Sequence, residues 1–248
     1  MSSPLRSRPE LVASQRARPP FGERTFALPD PAVRVGVTGT GDDLLLLPWS
    51  AGELAREIEA GAVLFRRLGI APGMRVANTL PGALTTPGAL LVGDVNEAIG
   101  ALDVPLGEVD AAAAQRGAWD LVDRVECAVL ILEPASAAAF LAAAPEVPRP
   151  WWQGIVWLAR GTWPLATPAV PATFAGWQRS WLAVPEVTSF AAASCARAAL
   201  HCAEGVVAEA GADGLVLSAP GAPWRYASGV ATRVGACDCG TPGAALLA

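Results

Sequence analysis

The sequence contains no lysine, because all 18 of its basic residues are arginine. An arginine guanidinium is planar and always charged, and it cannot replace the lysine amine as a nucleophile or Schiff base. The absence therefore excludes any chemistry in which lysine is the phosphate ligand, the covalent amine or the catalytic cation. Histidine is also scarce, since His201 is the only one. No Ser/His/Asp arrangement is indicated around this single residue.

Charged residues make up only 17% of the 248 residues, and the formal net charge is −5. A chain with this balance lacks the broad basic surface that attracts nucleic acids and anionic membranes. The composition therefore predicts neither nucleic-acid nor membrane binding. By contrast, the hydrophobic content of 52% predicts a folded protein with a sizeable core.

Long apolar runs are missing. None reaches the roughly 18 residues of a membrane span, because Glu133 and Pro134 interrupt the longest candidate, residues 128–144. The first twenty residues are rich in Arg, Pro and Ser and lack the apolar stretch of a signal peptide. We therefore predict a disordered tail over residues 1–20 and a cytoplasmic protein. The five cysteines are then expected to be thiols or metal ligands and not disulfides.

A glycine-rich loop, VGVTGTGDD at residues 35–43, is followed by the apolar run of residues 44–47. A strand, a loop of Gly and Thr and a second strand are typical of phosphate binding. Gly lets the backbone approach the anion, and N–H groups and hydroxyls then face it. The candidate cofactor-binding residues of this loop are Thr38, Gly39, Thr40 and Gly41.

Asp42 and Asp43 end the loop at the place where a phosphate-binding loop would have a lysine. Two carboxylates repel a triphosphate unless a metal ion bridges them. The loop therefore resembles the relic of a nucleotide site. An ordinary acidic turn between two strands is the alternative, because short Gly/Thr loops are weak motifs.

Helix and strand patterns alternate between residues 50 and 144. Ser50 and Glu53 form a Ser-x-x-Glu capping box at the start of a helix that extends to Leu68. Strands are predicted over residues 74–78, 102–106 and 128–132, and helices over residues 88–99, 110–124 and 134–144. Repeated β-α-β units of this kind favour an α/β fold with a mostly parallel, helix-covered sheet.

The chain is predicted to contain two folded parts. Residues 21–190 form the α/β core, and residues 191–248 form a small β-rich subdomain, since short β segments recur at 205–209 and 214–218. Within the core, residues 145–185 carry six tryptophans among many prolines. This cluster indicates either core packing or an aromatic ligand site.

A series of short segments forms a further pattern along the chain. Besides the glycine loop, it includes PFG at 20–22, LPWSAGEL at 47–54, LGIAPGMRVANTLPGALTTPGAL at 68–90, residues 99–105, GTWP at 161–164, SCARAALHCAEG at 194–205, GLVLSAP at 214–220, WRYASGVATRV at 224–234 and ACDCGTPG at 236–243. Each segment is a weak motif alone. In this order they resemble the phenylacetate–CoA ligase branch of the AMP-forming adenylating enzymes, in which the glycine loop reads SSGTTGKP.

The resemblance implies the large domain of an adenylating enzyme, with ATP or AMP and CoA as cofactors and an acyl or aromatic carboxylate as ligand. The sequence departs from the family, however. The family's loop lysine falls at Asp42 or Asp43, and its ribose-binding acid falls at Val230. Its YGLSE motif has no match in residues 186–193, and its small C-terminal catalytic domain is expected to be absent. Phosphoryl transfer depends on such preorganised groups.

We therefore predict a shortened, degenerate relative of phenylacetate–CoA ligase that does not adenylate and that binds an acyl ligand or a protein partner. The alternative is an active AMP-forming acid–CoA ligase, or an adenylation subunit completed by a partner, in which an arginine such as Arg34 replaces the lysine. A decayed gene product without a selected function is a third interpretation.

Four residues of the C-terminal part form a candidate metal site: Cys195, His201, Cys237 and Cys239. A Cys₃His set suits tetrahedral zinc, and a full set of protein ligands is typical of a structural site. Some members of the resembled family carry a structural metal at these positions. Cys202 is an alternative ligand, and small buried thiols without metal are the alternative interpretation.

Overall fold

A nine-stranded sheet is the centre of the computed structural model, which describes residues 3–24, 30–82, 85–109, 112–241 and 244–247. The elements of the first 150 residues are β1 (Leu5–Ser7), α1 (Arg8–Ala17), β2 (Ala32–Thr38), β3 (Leu45–Ser50), α2 (Ala51–Arg67), β4 (Arg75–Asn78), α3 (Ala89–Ile99), β5 (Leu102–Pro105), α4 (Ala112–Val125), β6 (Val129–Leu132) and α5 (Pro134–Ala142). The strands that follow are β7 (Gly154–Arg160), β8 (Trp177–Val184), β9 (Thr188–Ser194), β10 (Leu200–Cys202), β11 (Val207–Gly211), β12 (Gly214–Ser218), β13 (Arg225–Ala227), β14 (Arg233–Gly235) and β15 (Ala245–Leu247).

Five adjacent strands of the large sheet, in the order β5-β4-β6-β7-β8, are parallel. Beyond β8 the order continues β9-β10-β15-β14 with antiparallel pairing. Every residue of β6 is buried, as expected for a parallel strand covered on both faces. The predicted α/β class is confirmed, and the parallel part of the sheet corresponds to the alternating helix and strand patterns.

Helix α2 confirms the capping box. The Glu53 N–H donates to Ser50 Oγ (3.3 Å), and the Ser50 N–H donates to the Glu53 carboxylate (2.8 Å). Gly69 follows the helix with a φ of 93°, which lets the chain turn away from it. The helix has 17 residues, and no helix within the described ranges is long and apolar enough to cross a membrane.

Three aromatic rings fix α2 against the sheet. The Trp181 and Phe190 rings, on neighbouring strands β8 and β9, stack with centroids 5.1 Å apart. Phe65 of α2 meets Trp181 edge-on, with centroids also 5.1 Å apart. The indole N–H of Trp181 donates to the Ser189 carbonyl oxygen (2.8 Å), so its polar atom is satisfied in the core.

The tryptophans of residues 145–185 are mainly packing residues. Four of the six are buried, namely Trp152, Trp157, Trp163 and Trp181. Trp152 contacts the rings of Trp119 and Phe174 at 5.5 and 4.5 Å between centroids. The core-packing interpretation is therefore confirmed for these four residues.

The N-terminal segment is folded, and the prediction of a disordered tail is wrong for Leu5–Ala17; residues 1 and 2 lie outside the described residues. Ser7 and Glu10 form a capping box, in which the Ser7 N–H donates to the Glu10 carboxylate (2.7 Å). Leu11 and Val12 are buried against the core. The Arg- and Pro-rich composition hid both the capping box at Ser7 and the apolar pair Leu11 and Val12 that follows it.

The C-terminal part does not form one separate sheet. Strands β11, β12 and β13 form a four-stranded sheet with β1 in the order β1-β13-β12-β11, whereas β10, β14 and β15 extend the large sheet. The boundary predicted between residues 190 and 191 falls inside β9. Residues 242, 243 and 248 of the predicted subdomain lie outside the described residues, and the division into domains stays a prediction.

We expect the substitution Phe190→Ala to lower the free energy of unfolding by about 3–5 kcal/mol, because it opens a cavity between α2 and the sheet. Urea denaturation followed by tryptophan fluorescence measures this loss. Leu90→Ala in α3 is the matched control, since Leu90 is 60% exposed and its truncation should cost less than about 0.5 kcal/mol. Equal losses for the two variants would contradict this packing of α2 on the sheet.

Candidate functional site

The glycine loop joins β2 to β3, which pair antiparallel in a two-stranded sheet. A short 3₁₀ turn, Gly41–Asp43, lies within the loop. Gly39 has a φ of 70°, in the left-handed region that glycine adopts most easily. The predicted strand–loop–strand arrangement is confirmed, whereas a cofactor-binding role for Thr38, Gly39, Thr40 and Gly41 stays a prediction.

Arg8, at the start of α1, inserts its guanidinium into this loop. Its Nε donates to Asp43 Oδ2 (2.5 Å), its Nη2 to the Asp43 carbonyl oxygen (2.7 Å) and its Nη1 to Thr38 Oγ1 (3.0 Å). Nη1 also donates to the Glu186 carboxylate. A Cβ at Gly39 would lie 2.2 Å from Arg8 Nη2, so only glycine leaves room for the guanidinium. The loop therefore holds a cation from its own chain.

Glu186 is the buried partner of Arg8, and its side chain is 7% exposed. It follows the end of β8, and its carboxylate also lies 3.4 Å from Thr38 Oγ1. Burial raises the pKa of Glu186 above its ordinary value, and its hydrogen bonds and the charge of Arg8 only partly oppose this shift. Sequence reasoning missed this residue. Its position just beyond a buried parallel strand, where open α/β sheets place their sites, could have indicated it.

Two aromatic residues near β13 complete the surroundings of Arg8 and Glu186. The Trp224 indole N–H donates to the Glu186 carbonyl oxygen (2.9 Å) and so fixes its backbone. Tyr226 is 4% exposed, and its hydroxyl interacts with the Arg8 guanidinium. Burial, and then the charge of Glu186, raise the pKa of Tyr226, so the hydroxyl stays neutral.

The two aspartates of the loop differ in their environment. Asp43 contacts Arg8 with both its carboxylate and its backbone. Asp42 is fully exposed and pairs with Arg16 of α1, which also donates to the Asp42 carbonyl oxygen (2.5 Å). A phosphate at this loop would meet two carboxylates and would have to displace Arg8 from a third, that of Glu186.

The other positions singled out by the resemblance are also occupied by internal contacts. Val230 is buried at 2% exposure in the core next to β12, so it offers no polar group to a ribose. Arg34, the candidate replacement for a loop lysine, forms an ion pair with Asp94 of α3.

Arg160 occupies the crevice at the carboxyl ends of the parallel strands, between the end of β6 and the segment that leads from β4 to α3. It lies at the end of β7 and donates to the Glu133 carboxylate (2.9 Å) at the end of β6. Its two Nη atoms donate to the carbonyl oxygens of Thr86 (2.9 Å) and Pro87 (2.7 Å) before α3. Ligands of open α/β sheets bind in such a crevice. Here the Arg160 side chain lies in the crevice and connects Glu133 to the segment before α3.

A cavity of about 310 Å³ lies between α2 and the C-terminal strands. Its apolar lining includes Val63, Leu64 and Phe190, and the Arg56 and Arg67 side chains line it as well. Glu57 also lines it, and burial raises the pKa of this carboxyl, which favours its neutral form. Apolar walls with a few polar groups are typical of small-molecule sites.

The predicted metal ligands come together. The side-chain ligand atoms of Cys195, His201, Cys237 and Cys239 all lie within 4.8 Å of one another. Cys195 follows β9 and His201 lies in β10, and the turn between these strands brings them together across six residues. Cys237 and Cys239 lie in the loop between β14 and β15.

The geometry of this cluster fits zinc. Sulfur atoms bound to one tetrahedral zinc at about 2.3 Å lie about 3.8 Å apart, and the Cys195 and Cys237 sulfurs are 3.8 Å apart. The Cys239 sulfur lies 3.2 Å from His201 Nε2. Backbone N–H groups of Arg197 and Thr241 point at the Cys195 and Cys239 sulfurs (3.3 and 3.4 Å), as is favourable for thiolates.

The remaining cysteines lie outside the cluster. The alternation of β10 turns Cys202 to the face opposite His201, and burial raises the pKa of its thiol. Cys127 is fully buried, and burial raises its pKa to about 11. By contrast, hydrogen bonds from Thr241 lower the pKa of Cys239 to about 6.

Comparison with known proteins gives a fold but no family. No family model and no curated protein matches the sequence. Among solved structures, 2-hydroxyisobutyryl-CoA ligase, bound to 2-HIB-AMP and CoA, is similar with a TM-score of 0.70 and 17% identity over 84% of this chain and 50% of that one. A long-chain-fatty-acid–CoA ligase from Archaeoglobus fulgidus gives a TM-score of 0.57 and 10% identity over 81% of this chain and 44% of that one. VinN is similar with a TM-score of 0.53 and 11% identity over 82% of this chain and 54% of that one.

The chain therefore has the fold of adenylate-forming acyl-CoA ligases. It spans about half the length of the solved structures it matches. Identities at this level show the fold alone, and the substrates of these enzymes do not pass to this chain. The described structure bears out the resemblance at this coarser level, as an adenylating-enzyme fold.

We expect Arg8→Ala to destabilise the protein more at pH 8 than at pH 5. Without Arg8 the pKa of Glu186 rises further, because burial is then less opposed. An acid with a raised folded-state pKa contributes its stability below the unfolded-state pKa and loses it as the pH rises through the folded-state pKa. We expect a loss of about 2 kcal/mol or more at pH 8, measured by urea denaturation at both pH values, since a buried carboxylate loses its partner.

The double variant R8A/E186Q is the control for this pH dependence. The amide side chain that replaces the Glu186 carboxylate carries no charge, so the additional loss at pH 8 should disappear. A loss for Arg8→Ala that is the same at both pH values would show that Glu186 does not depend on Arg8 for its charge.

Proposed function

We propose that this chain is a degenerate relative of the adenylate-forming acid–CoA ligases, similar in its motifs to phenylacetate–CoA ligases, that binds an acyl ligand or a protein partner without adenylating it. The observation that supports this most directly is the Arg8 guanidinium in the glycine loop, bound to Asp43, Thr38 and Glu186. Thr38, one of the four residues expected to face a phosphate, is thus already bound to a cation of the same chain.

Electrostatics favours this proposal. Two unit charges 4 Å apart interact by about 4 kcal/mol at an effective dielectric constant of 20. A triphosphate at the loop would be repelled by Asp42 and Asp43, and it would compete with Asp43 and Glu186 for Arg8. Withdrawal of Arg8 would leave the buried Glu186 carboxylate without its cation, which is strongly unfavourable.

The second candidate is an active adenylation subunit completed by a partner, and Glu186 favours it. Its carboxylate lies beside the Thr38 hydroxyl, and oxygen donors of this kind suit Mg²⁺. A divalent cation held there could bridge to phosphates if Arg8 moved away. The two candidates differ in whether ATP binds.

We expect calorimetric titration with ATP and magnesium to show no binding up to millimolar concentrations. We also expect no acid-dependent pyrophosphate release with aromatic or fatty acids. Asp43→Lys should not create activity, because Val230 leaves no polar ribose contact. Micromolar ATP binding together with acid-dependent pyrophosphate release would reject the degenerate interpretation and support the active subunit.

The cavity between α2 and the C-terminal strands supports the acyl-ligand form of the proposal. Its volume and apolar walls suit a short acyl chain or an aromatic ring. Arg56 and Arg67 supply positive charge for a carboxylate at its rim, whereas Glu59 and Glu204 weaken that attraction.

We further propose that Cys195, His201, Cys237 and Cys239 hold a structural zinc ion. All four ligand positions come from the protein, which is typical of structural sites. The ion would join the β9–β10 turn to the loop between β14 and β15. The strands next to these ligands, β10, β14 and β15, have only three residues each. A metal would therefore supply much of their local stability, because metal binding and folding are coupled.

Elemental analysis of protein purified without added metal should show about one zinc per chain. The double substitution of Cys237 and Cys239 by Ser should remove the zinc and lower the melting temperature. Cys127→Ala is the matched control, because Cys127 lies outside the cluster and its loss should leave the zinc content unchanged. Metal-free protein with unchanged melting in the presence of a chelator would reject the site.

A further inference from the structure

The contacts of Arg8 have the geometry of a slot for a guanidinium group. Its three nitrogens donate four hydrogen bonds, to the side chain and backbone of Asp43, to Thr38 Oγ1 and to Glu186. A guanidinium presents its donors in a rigid planar fork, whereas an ammonium is a point charge with three donors. The missing Cβ of Gly39 leaves space for the edge of this plane against the backbone.

The lining of the slot is anionic and partly buried. Asp43 and Glu186 supply two carboxylates, and Tyr226 adds a neutral hydroxyl. Glu186 is the most deeply buried of the three polar partners that bond to Arg8, with its side chain 7% exposed. A buried carboxylate costs several kcal/mol unless a charge pairs with it, so the slot requires a cation with donors in the right plane.

The segment that supplies Arg8, residues Leu5–Ala17, is attached by polar contacts and by two buried apolar residues of α1, and we call it the strap. β1 pairs with only three residues of β13. The Gln15 amide exchanges hydrogen bonds with the Leu46 backbone (2.5 and 3.0 Å), in the manner of an added strand residue. Leu11 and Val12 are the buried residues of α1. Segments with few buried apolar contacts open at lower free energy than the core.

We infer that Thr38, Asp43, Glu186 and Tyr226 form a guanidinium-binding slot that the chain fills with its own Arg8, so that the strap occludes the glycine loop. A ligand with a guanidinium group competes with the strap for this slot. The inference rests on the proposed function in one respect, namely that the glycine loop does not bind ATP. ATP-dependent pyrophosphate release would defeat the proposed function, whereas rescue by a free guanidinium compound tests the slot alone.

The experiment uses the full-length chain with Arg8→Ala and the probe N-ethylguanidinium. This compound replaces the atoms that the substitution removes beyond Cβ. We expect a saturable rise in the melting temperature of about 3–6 °C at millimolar probe, because a ligand that binds only the folded state stabilises it. The wild-type chain should show no such rise, since its slot is filled.

Three controls make the result specific. Propylammonium has similar size and charge but no planar fork, so it should rescue Arg8→Ala much less. The double variant R8A/E186Q should lose the rescue, because the slot then lacks its buried carboxylate. Arg16→Ala removes an exposed arginine of the same helix, and ethylguanidinium should not shift its melting. Equal rescue by both probes, or no rescue of Arg8→Ala, would overturn the slot.

A second measurement on the wild-type chain does not depend on the folding of the variant. Amide hydrogen exchange should become faster in α1 with increasing ethylguanidinium, while α2 stays protected, because the probe competes with the strap. Propylammonium at the same concentration should leave α1 unchanged. Exchange in α1 that is insensitive to ethylguanidinium would show that the strap is a fixed part of the fold and would also overturn the inference.

Discussion

The ion pair between Arg8 and Glu186 connects residues that are 178 positions apart and joins three parts of the structure. It ties α1 to the β2–β3 hairpin through Thr38 and to the end of β8 through Glu186. A buried carboxylate tolerates few arrangements of its neighbours, because each loss of a partner costs several kcal/mol. The N-terminal segment, the glycine loop and the residues around β13 therefore all meet at this one paired carboxylate.

Arginine performs a similar task at other places in this lysine-free chain. Arg160 binds a carboxylate and two carbonyl oxygens at the edge of the parallel strands, and Arg34 binds Asp94 across the hairpin and α3. A guanidinium can satisfy several acceptors at once in fixed directions, which a single ammonium cannot. At the glycine loop and at the ends of β6 and β7, Arg8 and Arg160 each bond to several acceptors and so join neighbouring segments of the chain.

The sequence predicted the elements whose signals are local. The capping box at Ser50 and the apolar periodicity gave α2, and the alternation of helix and strand patterns gave the parallel part of the sheet. The Cys₃His cluster was also predictable, because cysteine and histidine are recognisable as metal ligands from the sequence alone. The pairing of Arg8 with Glu186 was not predictable. Composition masked the helix that carries Arg8, and no periodicity links two residues across most of the chain. The order of the C-terminal strands was also missed, because strands of three residues have almost no sequence signal.

The order β10-β15-β14 means that the last strand covers a backbone edge. Leu200 and His201 of β10 pair with β9 on one side and with β15 on the other. If the β14–β15 hairpin separates, β10 becomes an outer strand with unpaired N–H and C=O groups beside buried apolar residues. Exposed edges of this kind recruit strands from other molecules. The hairpin therefore moves the open edge of the sheet from β10, where Leu200 and His201 are buried, to the less buried β14, and its separation is expected to favour self-association.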